Sequence, residues 1–139
     1  MTDMPATDRR GLSILSLEEC ERLLGSEKVG RVAVMTLGEP QIVPVLYRYY
    51  RGAVVFRTAA GEKLDVMSLN APVAFQIDGW DLPARTGWSV LARGRTEEIY
   101  DQLEIDRLET IGLESWVPSI QETRWVKLYP SEITGRRIG

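Results

Sequence analysis

The order of apolar and polar positions along the chain predicts a protein built mainly from strands. After a polar, patternless start over residues 1–13, Ser16-Leu17-Glu18-Glu19 has the form of a helix N-terminus. Ser16 can cap the first turn and Glu19 can reach back toward it. Leu17, Cys20, Leu23 and Leu24 follow at helical spacing as the apolar face. An apolar, β-branched run from Val29 to Leu37 comes next, closed by the turn chemistry of Gly38-Glu39-Pro40. From Gln41 to Tyr50, Val43, Val45, Tyr47 and Tyr49 share one face. Arg51-Gly52 turns the chain into a third strand, Ala53 to Thr58.

The second half continues in the same way. Residues 59–70 read as a loop entering a short helix with Leu64 and Met67 inward, ended by Pro72. Val73, Phe75 and Ile77 alternate with polar neighbours, as in a half-buried strand. A loop is predicted over 81–87, and a long strand over 88–100. Asp101 caps a helix through about Leu113 that carries Ile105, Leu108 and Ile111. A loop over 114–123, a last strand over 124–129 and a basic tail over 130–139 complete the chain. The expected fold class is mainly β with short helices (α+β), a closed or split β-barrel that hides its strand edges. The expected organisation is a flexible tail over 1–13 and one domain over 14–139.

Composition narrows the function. At 139 residues, 44% hydrophobic and 27% charged, the chain has the balance of one globular domain. A net charge of -3 argues against a nucleic-acid partner. No stretch is apolar enough to span a membrane, and the first ten residues lack the apolar run of a signal peptide. The one cysteine, Cys20, allows no internal disulfide and falls on the apolar helix face. A reducing, cytoplasmic location is expected. Histidine is absent altogether. That removes Ser-His-Asp and Cys-His catalysis and histidine-ligated zinc or haem. Chemistry then falls to carboxylates, Lys, Arg, Tyr, Ser/Thr or a bound organic cofactor.

Five stretches carry candidate chemistry. In Phe56-Arg57-Thr58-Ala59-Ala60-Gly61-Glu62-Lys63-Leu64 a strand ends on a cation and a hydroxyl. Small residues then turn the chain, and Lys63 follows in the first turn of the predicted helix. A cation there opposes the helix dipole, and an anionic ligand such as a terminal phosphate would resolve the conflict. A solvated loop with two stray cations is the bland alternative. Pro44, inside Gln41-Ile42-Val43-Pro44-Val45, removes a ladder donor and marks an edge or a ligand-facing stretch, with the backbone of Val45 placed to face a planar ring. Trp88-Ser89, Trp125 and Thr134-Gly135-Arg136-Arg137 complete the set, with core packing and a solubilising tail as the alternatives for the tryptophans and arginines.

In order, VGRVAV, PQIVPVLYRYY, AVVFRTAAGEKL, NAPVAFQID, GWSVLARGRTEEI and WVKLYPSEITGRRI resemble the pyridoxamine 5′-phosphate oxidase-like, FMN-binding split-barrel family, in its small actinobacterial-type branch. The resemblance covers about residues 15–138. It implies a homodimer with flavin at the interface. It implies that Arg57, Thr58 and Lys63, within the stretch from Phe56 through Gly61 to Leu64, contact the phosphate and ribityl chain. Pro44, Val45 and Leu46 would line the ring. Trp88 and Ser89 would approach it from the strand after the loop. Trp125 and Arg136 would come from the partner subunit or close the substrate side. The expected activity is FMN-dependent oxidoreduction of a small molecule by hydride transfer at flavin N5. An F420 (deazaflavin) reductase and a non-catalytic flavin carrier or sensor are the alternatives, followed by a barrel that has lost its cofactor. Features of true pyridoxamine phosphate oxidases that read the substrate phosphate are not found, and the histidine of the nitroimidazole-reductase and haem-degrading branches is absent.

Overall fold

The computed structural model describes residues 6–59, 71–113 and 123–139. The alternating runs become strands β1 (Ser13–Ile14), β2 (Val29–Thr36), β3 (Glu39–Tyr50), β4 (Ala53–Ala59), β5 (Pro72–Asp81), β6 (Thr86–Ile99) and β7 (Thr123–Ile138). Two short helices join them, α1 (Leu17–Ser26) and α2 (Gln102–Glu109). The antiparallel sheet runs β1-β7-β4-β3-β2-β5-β6, and a further β7–β6 ladder closes it into a ring.

Each strand sends alternate side chains into the ring. Val32 and Val34, Val45 and Tyr47, Val54 and Phe56, Phe75 and Ile77, Val90 and Ala92, and Val126 and Leu128 form one interior cluster. Cys20, Leu23 and Leu24 of α1 pack into the same cluster. The Tyr47 hydroxyl donates to the Leu24 carbonyl at 2.6 Å, which satisfies a phenol inside an apolar core. A second, smaller cluster lies on the outer face, where α2 covers Ala53, Val55, Ile99 and Trp125 with Leu108.

Two irregularities shape the ring. β3 pairs with β4 only from Tyr47↔Phe56 to Tyr50↔Ala53. Before Tyr47, β3 continues with β2 alone, and after Phe56, β4 continues with β7 alone. The two strands part at a fork whose apex, Tyr47 and Phe56, is fully buried. This is the split of a split β-barrel. The second irregularity is a bulge in the β6–β7 ladder, where Gly94 pairs with Pro130 and Arg93 with Glu132, leaving Ser131 extra. A Cβ on Gly94 would lie 1.9 Å from the Tyr129 carbonyl oxygen, so only glycine fits there. The extra residue reverses the alternation of β7: Val126 and Leu128 face inward before the bulge, and Gly135 meets Cys20 after it.

Several expectations need correction. Residues 130–138 are no tail. They continue β7 and pair with β6 through Gly87↔Ile138, because a proline at a bulge opposite glycine does not end a strand. The loop over 81–87 shrinks to four residues, since β5 extends to Asp81 and β6 starts at Thr86. Helix α2 ends at Glu109, with Thr110 as C-cap and Gly112 at φ 73°. Ser16 does accept from the Glu19 N–H at 3.1 Å, but the Glu19 carboxylate binds Arg22 and Arg137 instead of reaching back. Within 6–14, Ser13 and Ile14 pair with Arg137 and Arg136, and Asp8 accepts from Arg136 at 3.1 Å.

Candidate functional site at the strand fork

Beyond the last β3–β4 pair, Tyr47↔Phe56, lie Pro44 and Leu46 on β3 and Arg57 and Thr58 on β4, on the two sides of the fork. Strand chemistry decides what faces it. The Tyr47 N–H donates to the Lys28 carbonyl on the β2 side. Backbone groups alternate in direction along a strand, so those of Leu46 and Pro44 turn away from β2, toward the fork. Pro44 has no N–H, so it leaves no orphan donor there. Val45 is placed differently from expectation. Its side chain is 3% exposed in the interior cluster, and its backbone turns toward Gly30 of β2. Leu46, and not Val45, presents the N–H on this edge.

The same alternation separates Arg57 from Thr58. Thr58 is buried, on the inward side with Val54 and Phe56. Arg57 lies on the outward side with Ala53 and Val55, beneath α2. Its guanidinium carbon sits 4.7 Å from the ring centre of Trp125, which is its cross-strand partner. Arg57 Nη1 is 3.9 Å from Glu109 Oε2, and Trp125 Nε1–H donates to Glu109 Oε1 at 3.4 Å. Trp125 is 3% exposed and half of this packing arrangement. Glu109 carries no motif in the sequence. The sequence places it inside a helix expected to run through about Leu113, so nothing there marks it. Gly61, Lys63 and Leu64, the second half of the expected anion site, lie outside the described residues.

Trp88, Ser89 and Arg136 are brought together elsewhere. Ser89 and Arg136 are cross-strand neighbours on β6 and β7. Trp88 faces the other way, packing partly on the interior cluster, with its ring over Gly79, where a Cβ would come within 2.6 Å of the indole nitrogen. Trp88 also lines a cavity of about 580 Å³ with Trp80, Leu23 and Arg137. Arg136 is engaged by Asp8. Burial works to raise the Asp8 carboxyl, but hydrogen bonds from the Leu12 and Arg10 backbone and from the Arg10 and Arg136 side chains outweigh it and hold Asp8 below its ordinary value. Along β6, Ser89 is about ten residues from Ile99, the partner of Trp125, or roughly 33 Å of strand. One copy of the chain therefore does not gather the Arg57 and Arg136 groups at one place.

A further cavity, about 680 Å³, lies between β2, β5 and the β6–β7 bulge. It is lined by Val34, Met35, Pro40 and Val73, with Arg93, Arg95 and Tyr129 at its polar side. The sequence reading did not single out these residues. Arg93-Gly94-Arg95 at the bulge is the signal that was there to be read.

Comparison with known proteins agrees with this architecture. A model of the pyridoxamine 5′-phosphate oxidase family matches residues 16–137. An uncharacterised protein of Mycobacterium tuberculosis is 33% identical over 129 residues, covering 89% of this chain and 84% of its own. The FAD-binding protein from Mycobacterium smegmatis has a similar structure, with a TM-score of 0.79 at 34% identity, over 91% of this chain and 100% of its own. A FAD-binding protein from Mesorhizobium loti gives a TM-score of 0.77 at 26% identity, over 92% and 99%. A fork between β3 and β4, a ring closed by β6 and β7 and a family match across nearly the whole chain lead to one assignment: this protein belongs to the pyridoxamine 5′-phosphate oxidase family.

Proposed function

We propose that the protein is a flavin-dependent oxidoreductase that holds FMN at the β3/β4 fork and acts on a small molecule in the cytoplasm. The fork itself carries this reading. It is a place where β3 and β4 part, edged by the Leu46 N–H and the Pro44 carbonyl and flanked by a cation, Arg57, stacked on Trp125. A planar ring with polar edges and an anionic tail suits those groups. A bound flavin would supply the hydride chemistry, at its N5. The chain's own residues have the other tasks. Leu46 binds the ring edge through its N–H and Arg57 and Lys63 bind phosphate, while Thr58, buried on the opposite face of β4, would add its hydroxyl only from the inward side. The absence of histidine suits this division, because the protein needs only to bind and orient. We place Trp88, Ser89 and Arg136 in the site through a second copy of the chain, since within one copy Ser89 and Arg136 lie about ten residues of β6 away from the Ile99↔Trp125 pair beside Arg57.

FAD is the second reading. Two relatives at 34% and 26% identity are named as FAD-binding, and FAD offers Arg57 a diphosphate in place of a terminal phosphate. Paired titrations of FMN, FAD and riboflavin into wild type, Arg57→Ala and Lys63→Ala test both. Loss of one charged partner of a phosphate costs about 1.5–3 kcal/mol, or about ten- to a hundredfold in affinity. The phosphate-bearing ligand should show that loss and riboflavin should not. Equal weakening of riboflavin would mean that these side chains shape the pocket without reading the phosphate.

A further inference from the structure

Glu109 stands where physical chemistry disfavours it. It is the last residue of α2, at the end of the helix where the dipole presents partial negative charge. Arg57 offsets that cost. The Glu109 carboxylate bridges two strands, accepting from Trp125 Nε1 at 3.4 Å through one oxygen and facing Arg57 Nη1 at 3.9 Å through the other. The contact with Arg57 is loose. Its length is at the limit of an ion pair, and the Glu109 side chain is 53% exposed while that of Arg57 is 23% exposed. Such a pair contributes little and is readily exchanged for a better one.

We propose that Glu109 competes with the phosphate of the cofactor for Arg57, so that the last turn of α2 limits how tightly the fork holds an anionic cofactor. The inference rests on the flavin reading above and goes beyond it by naming a residue that opposes binding. A phosphate on Arg57 brings further negative charge toward the Glu109 carboxylate and the helix end. Both anions would draw on one guanidinium held over Trp125, and their like charges would repel across it. Removing the carboxylate charge lifts the competition. A carboxylate that instead clamped Arg57 in place for phosphate would give the opposite sign, because its loss would weaken binding.

The experiment is equilibrium titration of FMN and riboflavin into wild type, Glu109→Gln and Glu109→Lys. Glutamine keeps an oxygen that can accept from Trp125 Nε1–H, so the packing around the tryptophan is retained. FMN affinity should rise about two- to fivefold in Glu109→Gln, the range set by an exposed ion pair. It should rise further in Glu109→Lys, with riboflavin unchanged in both. Circular dichroism and a thermal midpoint on each variant confirm that the fold is kept. Unchanged or weakened FMN binding in folded Glu109→Gln, or equal changes for both ligands, would overturn the inference while leaving the flavin reading standing. Wild-type protein that takes up no flavin would overturn the flavin reading and this inference with it.

Discussion

The β6–β7 ribbon and the β3–β4 ribbon are made of similar alternating strands, yet one closes the barrel and the other opens it. The β6–β7 ladder runs without a break in pairing partners from Gly87↔Ile138 to Ile99↔Trp125, absorbing one extra residue at its bulge. The β3–β4 ladder stops at Tyr47↔Phe56, after which each strand keeps only its outer neighbour. The difference lies in what fills the space. At the bulge, glycine lets two backbones touch, and proline sits where no donor is needed. At the fork, the buried Tyr47 and Phe56 rings fill the apex, and Pro44 marks the edge beyond it. The closed ribbon supplies rigidity. The open one leaves Leu46 and Pro44 facing away from β2 with no ladder partner on β4 among the described residues.

The largest expected effect breaks the closed side. Gly94→Ala drives a methyl into the Tyr129 carbonyl, which a flexible side chain cannot relieve. A loss of about 3 kcal/mol or more is expected, read as a fall in the thermal midpoint on the order of 10 °C. A midpoint within a degree or two of wild type would show that the bulge can shift freely. Tyr47→Phe acts at the fork apex. It strands the Leu24 carbonyl inside the core and should cost about 1–2 kcal/mol by urea denaturation. Pro44→Ala tests the open edge. Pro44 is exposed, so the change should cost only about 0.5–1 kcal/mol, chiefly through a more flexible unfolded chain. A loss as large as that of Gly94→Ala would mean that the fork edge is as tightly built as the closed ribbon.

The smallest effect concerns acid. Asp8 has its folded value lowered, so its contribution to stability is present above its ordinary carboxylate value and is lost as pH falls through the lowered one. Asp8→Asn should therefore flatten the acid limb of stability against pH and leave the neutral region nearly unchanged. An acid limb identical to wild type would show that the Asp8–Arg136 contact carries no such linkage.

Much of this architecture was legible in the chain. Period-two alternation located β3 and β5, each with one face in the ring and one outside it, while the β-branched run of β2 and the Arg51-Gly52 turn before β4 located their neighbours. Ser16 and Asp101 announced both helix starts, and in both the cap side chain accepts from the first turn. The C-terminal half of β7 was not legible. Its alternation reverses at Ser131, so a fixed period fails there, and Pro130, Gly135 and paired arginines imitate a tail. The fork residues were found because Pro44 and Arg57-Thr58 are unusual at strand positions. Their directions were not, since the facing of a backbone N–H depends on which neighbour it pairs with, and that follows from register. Glu109 was invisible for a similar reason: its partners, Arg57 and Trp125, come from two other elements.

A flavin held at the fork would show in the visible absorption spectrum of the purified protein and in the mass of the cofactor it releases. The account predicts the paired visible and near-ultraviolet bands of an oxidised isoalloxazine, a released mass equal to FMN, and about one flavin per chain. The mass of FAD would keep the fork and change its anion, and the single main band of F420 would replace the flavin. Colourless protein that releases no such cofactor and takes none up on titration with FMN or FAD would contradict the account.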